Sequence, residues 1–408
     1  MNKMVTDSML MPTYVSRFSC IGEDCEDTCC AGWGVTLDKA SYLRYQSCFD
    51  PVLRPLFTQH VKRYAASKSD LDYGHIELQG DACQSCSMLS EKKLCRIQER
   101  LGEAALSNTC AYYPRTIHHF GDLHQMVLSL SCPEAARLAL LAEDAFDLRG
   151  EERTAPQDYI TEVRPSGGLS LEAMEEVRTL LFQILRSPDA RLSDRLKLIG
   201  RSCDRLTDLI TQQRIGDLPA LLLSIEQDLD SGAAMAPLAA QGEHINLQAE
   251  VAAGLFLAAW KSTELPHVRQ VLGEAALGLG LREGGPVDAP ALVCAYQEGL
   301  RRLGPALEAV PRLLEHYFMN EALREVFPWG QESPRQHFAS LVIRFALLRL
   351  LLAGRAAARE TPLTPAELAE TIQVACRRYQ HDVNFTKYAL QSLALSGWDS
   401  LERLQALL

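Results

Sequence analysis

Apolar residues in the second half of the chain recur at helical spacing. Leu171, Met174, Val177, Leu181, Ile184 and Leu185 share one face, and Leu192, Leu196, Ile199, Cys203, Leu206 and Ile210 repeat the arrangement, so the spacing predicts two amphipathic helices. Two later helices carry start signals. Ser333-Pro334 precedes an apolar run over residues 338–354, and Thr364-Pro365-Ala366-Glu367 combines an N-cap, proline at the first helical position and a capping box. The 338–354 run carries Arg344 and Arg349 inside it, which predicts a buried helix rather than a membrane span. Strand alternation is scarce, so the fold class expected is mainly α. Residues 149–168 hold Gly150, Pro156, Pro165, Gly167 and Gly168 without a sustained apolar period and read as a linker. The expected organisation is a Cys-rich domain over 1–148, this linker over 149–168, and a helical domain over 169–408. The glycine-rich stretch 273–285 lacks the strand context and spacing of a dinucleotide fingerprint and reads as a helix end and loop.

Composition narrows the class without fixing a function. The 408 residues are 47% hydrophobic and 23% charged, with a formal net charge of −11, an ordinary globular balance. No clustered Lys/Arg run is present, which argues against a nucleic-acid partner. The first residues show neither an apolar h-region nor a cleavage pattern, so a cytoplasmic protein is expected.

The cysteines change the picture. Ten of thirteen lie between Cys20 and Cys132, and without a secretory signal such density points to metal or redox chemistry rather than disulfides. The first group is Cys20-x4-Cys25-x3-Cys29-Cys30; the second is Cys83-x2-Cys86-x8-Cys95-x14-Cys110, with Cys132 beyond. Closely spaced thiols let one loop supply several ligands, whereas the plain alternative is a set of reduced core cysteines. A four-thiolate site suits structural zinc and an iron–sulfur cluster alike, and spacing leaves both open. The Cys-x3-Cys-x2-Cys pattern of radical S-adenosylmethionine enzymes is not met, because Cys30 follows Cys29 directly.

At these same residues the chain resembles the flagellin lysine-N-methylase family. The blocks are Tyr14-Val-Ser-Arg-Phe-Ser-Cys20, Cys25-Glu-Asp-Thr-Cys29-Cys30-Ala-Gly32-Trp33, Leu94-Cys95-Arg-Ile-Gln98 with Leu101-Gly102-Glu103, Leu106-Ser107-Asn-Thr-Cys110 with Tyr113-Pro114-Arg115, and Leu130-Ser131-Cys132-Pro133-Glu134-Ala135-Ala136-Arg137. Weaker likeness continues in Glu315-His-Tyr-Phe-Met-Asn320 and His381-Asp-Val-Asn384-Phe385. The front half also resembles small zinc- or iron-chelating domains with a Cys-Cys pair. The resemblance implies methyl transfer from S-adenosylmethionine to lysines of flagellin; the charge pattern and the arginines of the 338–354 run add the expectation of no nucleic-acid and no membrane partner. It also implies an iron–sulfur cluster, of the [4Fe-4S] kind, with four ligands drawn from Cys20, Cys25, Cys29, Cys30, Cys86, Cys95, Cys110 and Cys132. Cys83 is a spare. The alternative function is an iron–sulfur redox or metal-chelating protein.

A lysine must be neutral to attack a sulfonium methyl, at about three pH units and roughly 4 kcal/mol near neutrality. Tyr112, Tyr113 and His118, with His119 beside it, are the catalytic candidates nearest the cysteines; Trp33 and Arg115 are the cofactor candidates. Each has a plainer reading. Tyr113-Pro114-Arg115 would make a turn docking Arg115 on a carboxylate, His118 and His119 would sit in a surface loop, and Trp33 would be a lid on the cysteine loop. Arg344 and Arg349 read as solvated or structurally paired arginines.

Overall fold

The computed structural model describes residues 4–66, 69–231, 238, 244–260 and 265–408. Helices predominate, with seventeen α-helices among the described residues. The chain divides into two compact units: residues 4–138 with 147–162 and 265–270, and residues 139–146 with 163–260 and 271–408.

The first unit holds two sheets. Strands β1 (Met4–Pro12), β2 (Val35–Leu37), β3 (Val61–Arg63), β4 (Gly74–Ile76), β5 (Arg115–Phe120), β6 (Leu123–Leu128), β7 (Leu148–Pro156) and β8 (Ile160–Glu162) pair in the orders β7-β1-β6-β5-β8 and β2-β4-β3. The five-stranded sheet falls where strand alternation seemed absent. β1 and β7 pair over their whole length, Met4 opposite Pro156 and Pro12 opposite Leu148, yet most of their residues are solvent-facing. Cross-strand polar pairs tie the exposed parts of this ribbon, while Met9, Met11 and Ala155 are buried. The Thr6 and Thr154 hydroxyls lie 2.8 Å apart, and Asp7 stands opposite Arg153. The stretch expected as a linker thus carries β7 and β8, and its glycines and charges hid a strand with little to bury.

His118 and His119 also differ from expectation. They lie in β5, not in a loop; His118 is buried, and His119 stacks on His124 across the β5–β6 hairpin at 4.3 Å between centroids. Each imidazole of that pair meets a carboxylate, His119 with Glu162 at 2.8 Å and His124 with Asp7 at 3.1 Å.

Helix α1 (Thr13–Arg17) lies against β1 and β6 of the larger sheet, whereas the smaller sheet draws its core from α2 (Lys39–Gln46) and α3 (Leu53–His60). Leu37, Tyr45, Leu53, Phe57, Ile76, Met88 and Ile97 pack there, with Tyr45 and Phe57 stacked at 4.6 Å.

In the second unit the periodic segments form the helices their spacing predicts. With α4 (Arg96–Leu101), α5 (Asn108–Tyr112) and α6 (Pro133–Leu141) preceding, the two amphipathic runs are α7 (Leu171–Arg186) and α8 (Leu192–Thr211). They are followed by α9 (Leu218–Asp230), α10 (Ile245–Ala259), α11 (Pro266–Gly278), α12 (Ala289–Glu308), α13 (Leu313–Arg324) and α14 (Pro334–Ala357). The last are α15 (Pro365–Ala375), α16 (Val383–Leu395) and α17 (Leu401–Ala406), with a π-helical turn at Cys376–Gln380. Ser333 caps α14, and the Thr364/Glu367 capping box starts α15. The glycine-rich stretch is the end of α11 and the loop after it, with Gly280 and Gly284 in left-handed backbone.

Helix α14 is long and apolar enough to cross a membrane by length and composition, and 94% of its most apolar window is buried within the protein. Arg344 and Arg349 are structurally paired there. Arg349 donates to the Leu407 and Leu408 carbonyls at 2.7 and 2.5 Å, and Arg344 makes two bonds to Glu325 at 2.6 and 2.5 Å.

Close backbone approach lets α12 and α11 pack on α14. A Cβ at Gly299 would stand 2.1 Å from the Ala353 carbonyl oxygen, and one at Gly354 would stand 2.4 Å from that of Ala275. Backbone atoms cannot rotate away, so a methyl group there forces the helices apart. Gly299→Ala is expected to cost about 1–3 kcal/mol or more by overpacking, read as a fall in urea midpoint; an unchanged midpoint would mean that the contact is not tight.

Candidate metal centre

Two loops and three helix starts bring the cysteines together within the first unit. The first loop is tied to the second by backbone: the Cys86 amide donates to the Cys30 carbonyl at 2.7 Å, and the Gly32 amide to the Gln84 carbonyl at 3.2 Å. The Asp81 carboxylate accepts from the Ser85 amide at 2.8 Å, and that bond and its neighbours hold its pKa down. Beyond Cys86 the chain doubles back, with Leu89 bridged to Cys95 and the Arg96 amide donating to the Met88 carbonyl at 2.9 Å. Cys95 is the N-cap of α4, Cys110 lies in α5 behind its Ser107 cap, and Cys132 directly precedes α6.

The thiols act on one another. Cys86 is pushed up to about 11 by burial and by Cys95 and Cys29. Burial raises Cys110 to about 12, with Cys95, Cys86 and Cys29 adding to it. Contact with Cys29, then burial, raises Cys30, and Cys95 and Cys86 contribute. Burial likewise raises Cys95 despite amides of α4 that favour the thiolate. Cys132, raised to about 12 by burial, and Cys25, raised to about 11 by burial, join this group through Cys29. Seven of the eight expected ligands thus lie near enough to influence one another, while Cys20 is exposed.

The donor chemistry fits a thiolate-bound metal. Crowded, half-buried thiols resist ionisation unless a cation offsets their charge, and a metal supplies that offset. Among the described residues, no three His, Cys, Asp or Glu side chains converge closely enough to share a single ion.

Aromatic side chains border the thiols. Trp33 donates from Nε1 to the Cys29 carbonyl at 2.5 Å and packs against Tyr113 at 5.9 Å, which fits its reading as a lid on the loop. The Tyr113 hydroxyl is 3.0 Å from the Ser131 hydroxyl, beside Cys132. Tyr112 packs against Tyr159 at 5.0 Å. Among the described residues Arg115 docks on no carboxylate; its guanidinium lies 5.4 Å from the centre of the Phe18 ring. His118 is three residues along β5 from Arg115, about 10 Å at the rise of a strand. Sequence reasoning missed Tyr159, because a lone tyrosine in a polar stretch carries no periodic or motif signal.

The second unit contains a different kind of cavity. Leu181, Phe182, Phe318, Phe338 and Val342 line it beside the buried Arg178, which donates to Glu175 at 2.6 Å.

Fold and site together define a mainly α protein whose first unit carries most of its cysteines. The FliB lysine N-methylase C-terminal domain matches residues 178–407, more than half of the chain, and the chain belongs to that family. It is 39% identical over 137 residues to a protein named lysine-N-methylase from Salmonella typhimurium. It is 37% identical over 143 residues to one named flagellar biosynthetic protein FliU from Salmonella muenchen. The first match covers 34% of this chain and 33% of the relative, the second 35% and 82%; the chain thus aligns with about a third of the length of the Salmonella typhimurium lysine-N-methylase. No solved structure matches.

Proposed function

We propose that this protein is an S-adenosylmethionine-dependent protein-lysine N-methyltransferase acting on flagellin in the cytoplasm, with a cysteine-bound iron–sulfur cluster. One observation carries the reading: in a member of the lysine N-methylase family, seven of eight family-pattern cysteines lie near enough to influence one another. Four thiolates suit zinc and a cluster alike by number, and the family resemblance favours the cluster. Zinc with four thiolates at 2.3 Å sets the sulfurs about 3.8 Å apart, whereas in a [4Fe-4S] cluster each thiolate meets its own iron. Cys86, Cys95 and Cys110 with one of the Cys29/Cys30 pair would hold it. Bound there, the cluster would supply the positive charge that ties the two loops and the α4 and α5 starts together.

In the transfer itself the lysine nitrogen forms the bond to the methyl carbon as the carbon–sulfur bond breaks, the electron pair leaves with the thioether, and one proton leaves the nitrogen. The protein's part is to orient the amine and favour its neutral form. Partial desolvation beside the aromatic residues lowers the lysine pKa, and the formal charge of −11 suits a lysine-bearing partner.

Metal-loaded protein incubated with flagellin and S-adenosylmethionine is expected to add about 14 Da, or multiples of it, to flagellin lysines in mass spectrometry. Unmodified, folded flagellin after incubation with protein of intact metal content would remove the proposal.

A further inference from the structure

Arg115 is a charge that neither the fold nor the thiol group accounts for. It opens β5, is half-buried, and pairs with no carboxylate among the described residues; its contact is the Phe18 ring. Beside it stand two tyrosines from distant parts of the sequence, Tyr112 on α5 and Tyr159 just before β8, with ring centroids 5.0 Å apart and planes inclined by 39°. The Tyr112 hydroxyl donates to the Thr154 carbonyl at 3.4 Å, which ties α5 to β7. Strand β8 pairs in parallel with β5, Ile160 opposite Ile117, so the chain at Tyr159 runs alongside the start of β5 where Arg115 stands. A guanidinium without its own carboxylate, two aromatic faces and the edge of the thiol group thus meet in one place.

A half-buried guanidinium calls for an anion, and a carboxylate matches its fork of donors. Aromatic faces attract a cation through the ring quadrupole. A ligand satisfying both carries a carboxylate and a nearby soft cation. A protein lysine does not: it offers Arg115 no anion, and its ammonium would be repelled. A sulfonium amino acid carries both, its carboxylate offsetting Arg115 while the sulfonium rests on the rings.

We propose that Arg115 and the Tyr112–Tyr159 pair seat the amino-acid end of the sulfonium methyl donor, Arg115 taking the carboxylate and the tyrosine faces the sulfonium. This assignment rests on the methyltransferase reading. It makes Tyr159 a ligand-binding residue and places the donor's reactive end beside Cys110.

Calorimetric titration of the metal-loaded protein with S-adenosylmethionine and with S-adenosylhomocysteine, the neutral thioether, separates the two contacts. Tyr159→Leu is expected to weaken the sulfonium ligand about 5- to 30-fold and the thioether by less than about 2-fold, while Tyr159→Phe keeps both affinities. Arg115→Gln is expected to weaken both ligands about 10-fold or more, with Arg115→Lys recovering part of the loss. Metal content and thermal midpoint verify that each variant is folded, and the two Arg115 variants still decide the question if Tyr159→Leu is not. If the unsubstituted protein binds while Arg115→Gln binds equally well, or if Tyr159→Leu weakens both ligands alike, the assignment is wrong and the methyltransferase reading survives. If the unsubstituted protein binds neither ligand, the methyl-donor reading itself fails, and this assignment with it.

Discussion

Serine in place of Cys86, Cys95 or Cys110 is expected to empty the first unit of iron and to destabilise it by several kcal/mol. The reason is that a metal bound by these thiols would also hold the fold. Core elements there are short, with β2, β3 and β4 of three residues each, and the loops carrying Cys30 and Cys86 meet through a few backbone bonds. Structural metal sites return about 10–16 kcal/mol on binding, and a missing thiolate forfeits a substantial share. Cys20→Ser, on an exposed residue, and Cys203→Ser, in the second unit, should retain iron. Iron and sulfide analysis of anaerobically purified protein, with its visible absorption, gives the readout. Full iron content in all three serine variants would show that these thiols are not the ligands, and a colourless protein replete with zinc would replace the cluster by zinc.

Arg344→Met is expected to cost the second unit about 3 kcal/mol, the low end for removing one partner of a buried charge pair, because Arg324 and His337 still face Glu325. Glu325 stands among Arg344, Arg324 at 2.5 Å and His337 at 3.1 Å. Glu321 alongside it accepts from Gln380 Nε2 of the π-helical turn at 2.5 Å. Burial pushes the Glu325 carboxyl up, but Arg344 and Arg324 outweigh it and hold it well below the usual carboxylate range. A depressed carboxylate stabilises the fold above its unfolded pKa of about 4.3 and loses that contribution as pH falls through the lower folded value. The native protein should therefore weaken between about pH 4 and more acidic values, and Arg344→Met should lose less relative to it at pH 3 than at pH 7. Urea midpoints at the two pH values test this; an equal loss at both would mean that Arg344 contributes by packing alone.

The helical unit was legible because its signals are local. Six apolar residues at helical spacing mark α7, and six more mark α8. The Thr364 and Glu367 pair marks the start of α15 within one turn, and the buried reading of α14 followed from two charges inside an apolar run. The cysteine pool was legible for a related reason: thiol spacing and family blocks are properties of short stretches. The β1–β7 ribbon was not, since its strands are largely exposed, with only short stretches such as Met9 and Met11 buried, and their partners lie well over a hundred residues apart. His118 and His119 were misplaced with it, because a strand in the middle of a sheet is defined by its neighbours rather than by itself. By itself, then, the sequence determined the mainly α class, the helix starts and the stock of thiols. Tertiary structure alone decided which thiols lie near one another. It also decided that Arg344 faces Glu325, and that Tyr159 leaves an apparent linker to stand beside Tyr112 and Arg115. Such proximities are set by strand pairing and burial between distant segments, and no local pattern of residues encodes them.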